Sequence, residues 1–412
     1  MCCLFSMLCL GGISPLYGSM ENNVEEVDIS TVHNSNSLVS YGEIILPSVI
    51  HIAEGRECNL WWSTIANVPE GDKSVYFETV CEFGHLNERS FTVEPEDIKP
   101  EYVGKTFPLR IVCRRTADRE ILSDVTTNLV ITAADKGNGV RNICHMGDSR
   151  TWQSYGGTNG TDSFKNFKRE GNKTITTELK NLLDSNRGFT VNFVGHEVSK
   201  VDPEVRNLAQ SGQTFKYPIE QFKAAGGCKA YMEKNGLPKG EQLDYVPVMF
   251  GVNDLSDWAR NNIGQFDLSV KKVPAILESA KQVIDETLAA YPDCKIILVL
   301  EPSTCGSQDG WGSWIYRQTW RHSMMEMEKA MLYFRKVLIQ NFDEGRYHKN
   351  VFISSAGLWC DRLYGYPYIM VKESARTSVK IKEQFVECVH PFDDGYKQIS
   401  DGIFSTIKAL EN

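Results

Sequence analysis

Between residues 22 and 134, apolar and polar positions alternate in short runs. Glu43–Ile50, Ser74–Glu82, Ser90–Val93, Phe107–Arg114 and Thr126–Thr132 are rich in β-branched and aromatic residues, and Gly, Pro and Asp turns separate them. Alternation places successive side chains on opposite faces of a strand, so this spacing predicts an all-β sandwich over 22–134. The polar, Gly-bearing stretch Asp135-Lys136-Gly137-Asn138-Gly139 follows, and 135–140 reads as a linker. From 141 to 412 the rhythm changes. Apolar runs at Arg141–Met146, Thr190–Gly195, Asp244–Gly251, Lys295–Glu301 and Asn350–Ala356 alternate with helical patterns at Thr176–Ser185, Leu268–Ala290, Met324–Gln340 and Tyr396–Leu410. Strands alternating with helices predict βαβ units, hence an α/β region with five parallel strands covered on both faces. In such sheets ligands bind beyond the carboxyl ends of the strands, and the loops there are where chemistry is expected.

Composition narrows the function. The 412 residues are 42% hydrophobic and 24% charged, ordinary for a globular protein, and the length suggests two domains. The net charge of -9 argues against a nucleic-acid partner, which needs a basic field to displace counterions. Residues 1–21 open on a short apolar run, Met-Cys-Cys-Leu-Phe-Ser-Met-Leu-Cys-Leu, followed by small residues. This predicts a signal peptide, too short for an integral membrane span, and export to the periplasm, cell surface or medium. The absence of Lys or Arg before Arg56 departs from the usual positive start and points to an upstream start codon. Nine of twelve cysteines lie beyond the leader, scattered and without a C-x-x-C pair. No metal or other cofactor is expected from that pattern.

Three loops at strand ends carry polar residues that a core would not require. They are Gly147-Asp148-Ser149-Arg150, Gly251-Val252-Asn253-Asp254 and Glu387-Cys388-Val389-His390. A serine hydroxyl attacks well only when a base takes its proton, and histidine titrates in the right range. A carboxylate on the second ring nitrogen orients the imidazole, and hydrogen-bond donors must meet the developing oxyanion. Ser149, His390, Glu387 and the Asn253 amide suit these roles. For the carboxylate, Glu387, Asp393 and Asp394 remain open, as does a two-residue Ser-His arrangement. His145, inside a strand, is expected in the core, His196 beside the site, and Cys388 in packing.

Taken in order, these blocks resemble the SGNH or GDSL-type esterases and lipases over roughly residues 141–411. The usual G-D-S-L block stands as Gly147-Asp148-Ser149-Arg150, with Arg150 in place of Leu. The family's glycine block is similar to Ala209-Gln210-Ser211-Gly212-Gln213-Thr214, G-x-N-D is intact at Gly251–Asp254, and D-x-x-H is matched with Glu387 for Asp. The resemblance implies a three-layer, flavodoxin-like SGNH hydrolase fold over 141–412. It implies catalysis by Ser149, His390 and Glu387 through an acyl-enzyme, with an oxyanion hole from the Ser149 and Gly212 N–H groups and the Asn253 side chain. Asp148, Gly251 and Asp254 would support these groups. Arg150, Trp152, Trp258, Trp311 and Trp314 are expected to line the substrate, where aromatic faces among polar groups suit sugar rings. A carbohydrate O-acetylesterase is therefore expected, and the rival reading is an inactive member of the fold that binds glycan or scaffolds a surface complex. The Trp61-Trp62 pair could form a glycan platform, yet alternation buries at least one of them, so a supporting N-terminal region is favoured.

Overall fold

A computed structural model of the chain describes residues 38–152, 174–199, 202–256, 266–311, 324–374 and 377–411. The expected signal peptide at 1–21 lies outside the described residues. Residues 38–134 form two sheets. One runs in the order Val49–Ala53, Ile121–Thr132, Thr106–Arg115, Val75–Val80, and the other joins Cys58–Trp61, Ser90–Val93 and His85–Leu86. The alternation is visible in burial: Phe107, Leu109 and Ile111 face inward, while Thr106, Pro108 and Arg110 face out. The first strand differs from expectation. Glu43–Pro47 is not part of it, because Ile45 N–H donates to Ile65 O at 2.7 Å and Ile44 only bridges Ala66. Pairing starts at Val49, where the buried Ile50 and Ile52 set the inward face, and it runs parallel to Asn128–Thr132.

In the second region, Phe189–Phe193, Gly139–Ile143, Tyr245–Met249, Lys295–Val299 and Val351–Ser354 lie side by side in that order, all parallel. The sheet holds eight strand segments, not five. The strand beginning at Gly139 breaks at Cys144-His145 and resumes at Met146–Gly147, where its outer neighbour becomes Arg206–Ala209. Glu197–Val198 adds to that edge antiparallel. Helices at Ile175–Asp184 and Asp393–Leu410 pack together, and Phe266–Ala290 packs against Met324–Phe342 and Lys216–Ala225. The helices Lys216–Ala225 and Cys228–Lys234 were not expected, since Gly226-Gly227 interrupts their shared periodicity. The last helix places Tyr396, Ile399, Ile403 and Ile407 inward at helical spacing, with Asp393 and Asp394 favourably placed in its first turn.

The two regions share one hydrophobic core, in which Ile50, Ile52 and Leu60 belong with Ile403 and Ile407. Polar contacts cross the same seam. Ala53 N–H donates to Ser405 Oγ at 3.0 Å, and Arg89 forks onto both oxygens of Asp361 at 2.6 and 3.1 Å. Segment 135–140 is tied down at its start: Asn186 Nδ2 donates to Asp135 O at 3.0 Å and Lys408 Nζ to Lys136 O at 2.9 Å. Gly139 already opens the sheet strand.

Candidate active site

The loops that hold the expected residues meet beyond the strand ends. The nucleophile-type turn follows Met146–Gly147, and Gly147 has no room for a side chain: a Cβ would lie 2.2 Å from Thr151 Oγ1 and 3.0 Å from Met249 O. Asp148 and Ser149 follow, both buried. Ser149 Oγ lies 2.8 Å from His390 Nε2, although the two are 241 residues apart in the chain. On the other side of the ring, Glu387 Oε1 is 3.3 Å from His390 Nδ1. The same oxygen accepts the backbone N–H groups of Val389 at 2.8 Å and His390 at 3.3 Å. The loop thus curls around its own carboxylate, which takes up the extra methylene of Glu relative to Asp. Asp393 and Asp394 instead open the last helix, where Asp394 pairs with Lys397 at 3.4 Å.

Asn253 reaches the same place from the third parallel strand. Its Nδ2 donates to Asp148 Oδ2 at 2.9 Å and to Gln213 O at 3.1 Å. Gln213 adjoins Gly212, whose φ of +77° is the left-handed conformation glycine adopts freely, so the two expected donor blocks are in contact. Asp254 Oδ1 accepts the Phe215 N–H at 3.1 Å, fastening the same two segments. Packing around the Asp254 carboxyl raises its pKa to about 8, although part of the residue meets solvent. Gly251 is also obligatory: at φ +154°, a Cβ there would stand 2.6 Å from Glu301 Oε2 and 2.8 Å from the Phe334 ring.

Behind these groups lies a charged cluster that the sequence did not flag. Asp148 and Glu301 are fully buried carboxyls, and burial raises the pKa of both, with Arg150 pulling the other way. Glu301 was read only as the end of a strand; an acid closing an otherwise apolar run is the signal that could have revealed it. Arg150 corrects an expectation. It does not line the substrate, being 1% exposed, because its partners lie inside: it donates to Val389 O at 2.8 Å and Pro302 O at 2.9 Å and forms an ion pair with Glu301 Oε1 at 3.1 Å. Trp311 is also buried, 3% exposed within the main hydrophobic cluster. Trp152 is half-buried one turn after Asp148, to whose carbonyl its N–H donates at 2.9 Å. Trp258 and Trp314 lie outside the described residues.

Of the other histidines, His145 is fully buried beside Thr176, and burial lowers its pKa to about 3, so it stays neutral in the core. His196 is held between the hydroxyls of Tyr231 at 2.7 Å and Tyr217 at 3.0 Å. Cys388 is buried, its carbonyl accepting the Cys305 N–H at 2.9 Å. Among the described residues, no group of three or more His, Cys, Asp or Glu is placed to hold a metal ion, and no helix is long and apolar enough to cross a membrane.

The arrangement offers a hydroxyl beside a base, a base beside an acid, and amide donors around them, which is equipment for acyl transfer. The family model described as GDSL-like Lipase/Acylhydrolase matches residues 143–403. The chain belongs to this family, the SGNH hydrolases, and is a carboxylic ester hydrolase. No curated protein matches it. Solved structures similar to it include a carbohydrate acetylesterase from Sinorhizobium meliloti, at 15% identity and TM-score 0.35, covering 66% of this chain and 99% of that one. A carbohydrate esterase family 3 protein from Talaromyces cellulolyticus is similar at 16% identity and TM-score 0.33, over 66% and 97% of the two chains. A carbohydrate esterase family 2 enzyme plus carbohydrate binding domain, from Corynascus thermopiles (Myceliophthora fergusii), is similar at 14% identity and TM-score 0.36, over 87% and 92%.

Proposed function

We propose that this hydrolase is a serine esterase using a Ser149–His390–Glu387 triad. His390 removes the Ser149 proton as the hydroxyl attacks the ester carbonyl. The same proton then goes to the departing alcohol, and water releases the acyl group from Ser149. Glu387 holds the imidazole and stabilises its protonated form. The observation that carries this reading is the continuous chain of contacts, 2.8 Å from Ser149 Oγ to Nε2 and 3.3 Å from Nδ1 to Glu387. The oxyanion would be met by the Ser149 and Gly212 N–H groups and by Asn253 Nδ2. One Asn253 hydrogen stays on Asp148, and the other, on the longer contact to Gln213 O, turns toward the oxyanion. A fluorophosphonate probe should label Ser149 and leave Ser149→Ala unlabelled. A folded chain that neither reacts with the probe nor turns over esters would instead be a non-catalytic, glycan-binding member of the fold.

The substrate we favour is an O-acetylated carbohydrate, on the strength of the aromatic residues in the loops, of which Trp152 stands next to the Ser149 turn. Faster turnover of long-chain acyl esters than of acetylated sugars would overturn that choice. We read the apolar start of the chain as an export signal, and cell fractionation that finds the protein confined to the cytoplasm would refute it. The N-terminal region is best read as support. Trp61 donates to Trp359 O at 2.7 Å beneath the Arg89 guanidinium, while Trp62 is buried and stacked on Phe77 at 4.5 Å. Both indoles are thus engaged within the protein.

A further inference from the structure

Resting on that triad, we propose that Arg150 and Glu301 are positioning residues: a buried ion pair that sets the loops of Ser149, Asn253 and His390 in mutual register. The pattern of contacts is specific. Arg150 is the chain neighbour of Ser149, and its Nε donates to Val389 O, the peptide immediately before His390, at 2.8 Å. Its Nη1 donates to Pro302 O at 2.9 Å and lies 3.1 Å from Glu301 Oε1. The other Glu301 oxygen accepts the N–H of Val252, the residue immediately before Asn253. One guanidinium and one carboxylate therefore connect the residue next to the serine with the residues next to the histidine and the amide donor. From behind, Arg335 Nε donates to Glu301 O at 2.9 Å, so the carboxylate stands on a fixed backbone.

A purely stabilising role explains this arrangement poorly. A buried pair must overcome the desolvation of both ions, and well-packed apolar residues of similar volume are often as stable or more so. What a planar fork adds is direction, since it can hold a carbonyl and a carboxylate at once in one geometry. Misplacing reacting groups by about 1 Å can cost on the order of 10²-fold in rate, which is the scale at which this pair would act.

The test compares Arg150→Lys, Glu301→Gln and the double variant Arg150→Met/Glu301→Met with the wild-type chain. The readouts are kcat and KM on p-nitrophenyl acetate, the rate of fluorophosphonate labelling, and melting temperature. The double variant should melt below the wild type, because Val389 O and Pro302 O lose a buried donor and the Val252 N–H its acceptor, and the kcat of the protein that remains folded should fall about 10- to 100-fold with KM little changed. Its labelling rate should fall in parallel. Arg150→Lys keeps the charge and fold but cannot serve Val389 O and Glu301 together, so it should lose kcat to a smaller extent. Wild-type kcat and labelling rate in the double variant, or in Arg150→Lys should the double variant fail to fold, would overturn the proposal. Full turnover by Ser149→Ala would remove the triad itself. A dead Ser149→Ala beside fully active pair variants would remove only this inference.

Discussion

At the seam between residues 38–134 and the parallel sheet, buried arginines point at backbone carbonyls; where Ser149, His390 and Glu387 meet, side chains point at one another. Arg335 donates to Thr64 O at 3.0 Å and Arg362 to Ser63 O at 2.8 Å, both from the parallel-sheet region to the N-terminal one. Glu328 lies between them, 3.3 Å from Arg335 and 3.4 Å from Arg362. Carbonyls do not titrate, so the acceptors of these two hydrogen bonds do not change with pH. Ser149, His390 and Glu387 instead contact one another, and in the proposed mechanism a proton passes between Ser149 and His390 while Glu387 orients the ring. Burial of polar groups serves joining in one region and reaction in the other. Arg150 and Glu301 stand between the two, charged like the seam and placed like the site.

If that contrast is right, changes at the site should remove activity and spare stability. The largest effect is expected from Ser149→Ala, a loss on the order of 10⁵-fold or more in kcat without a fall in melting temperature. Substantial residual turnover would break the comparison at its centre. Glu387→Gln should cost roughly 10²- to 10⁴-fold in kcat, since the amide cannot stabilise the imidazolium. Unchanged turnover would move the acid role elsewhere, with Asp393→Asn and Asp394→Asn the next variants to assay.

The seam should behave in the reverse way. Arg362→Met leaves Glu328, Ser63 O and Thr304 O short of a buried donor, and should cost about 3–5 kcal/mol of unfolding free energy. The kcat of the protein that remains folded should stay within a few-fold, and a selective loss of kcat at unchanged urea midpoint would show that the seam also sets catalysis.

The smallest effect sharpens the division by pH. Asp254 has a folded pKa near 8 against an ordinary 3.8, so the folded state binds the proton more tightly than the unfolded chain. Its contribution is therefore fully present below 3.8 and is lost as pH rises toward 8 and beyond. Asp254→Asn keeps an acceptor for the Phe215 N–H and should flatten that decline in urea midpoint; an unaltered pH slope would place the source in another group.

Much of this was readable along the chain. Alternation in 106–111 and the spacing of Tyr396, Ile399, Ile403 and Ile407 are local consequences of strand and helix geometry, so the pattern carries them. The order of the blocks at Gly147, Gly212, Asn253 and His390 was also visible, because each occupies a strand-end loop. The bend at Glu43–Pro47, by contrast, depends on Ile65, and the substrate-facing role expected for Arg150 failed because nothing local says which loop residues turn inward. Arg150 meets Val389 across 239 positions and Pro302 across 152.

The residue types, their order and the elements that carry them were determined by the sequence alone, since propensity and periodicity act over a few residues. Which carboxylate stands against His390, which side of the turn Arg150 takes, and the union of two regions in one core were decided only in the tertiary structure. Those choices follow from desolvation: once the strands pack, each buried charge must find a partner, near in the chain as for His390 or far from it as for Arg150.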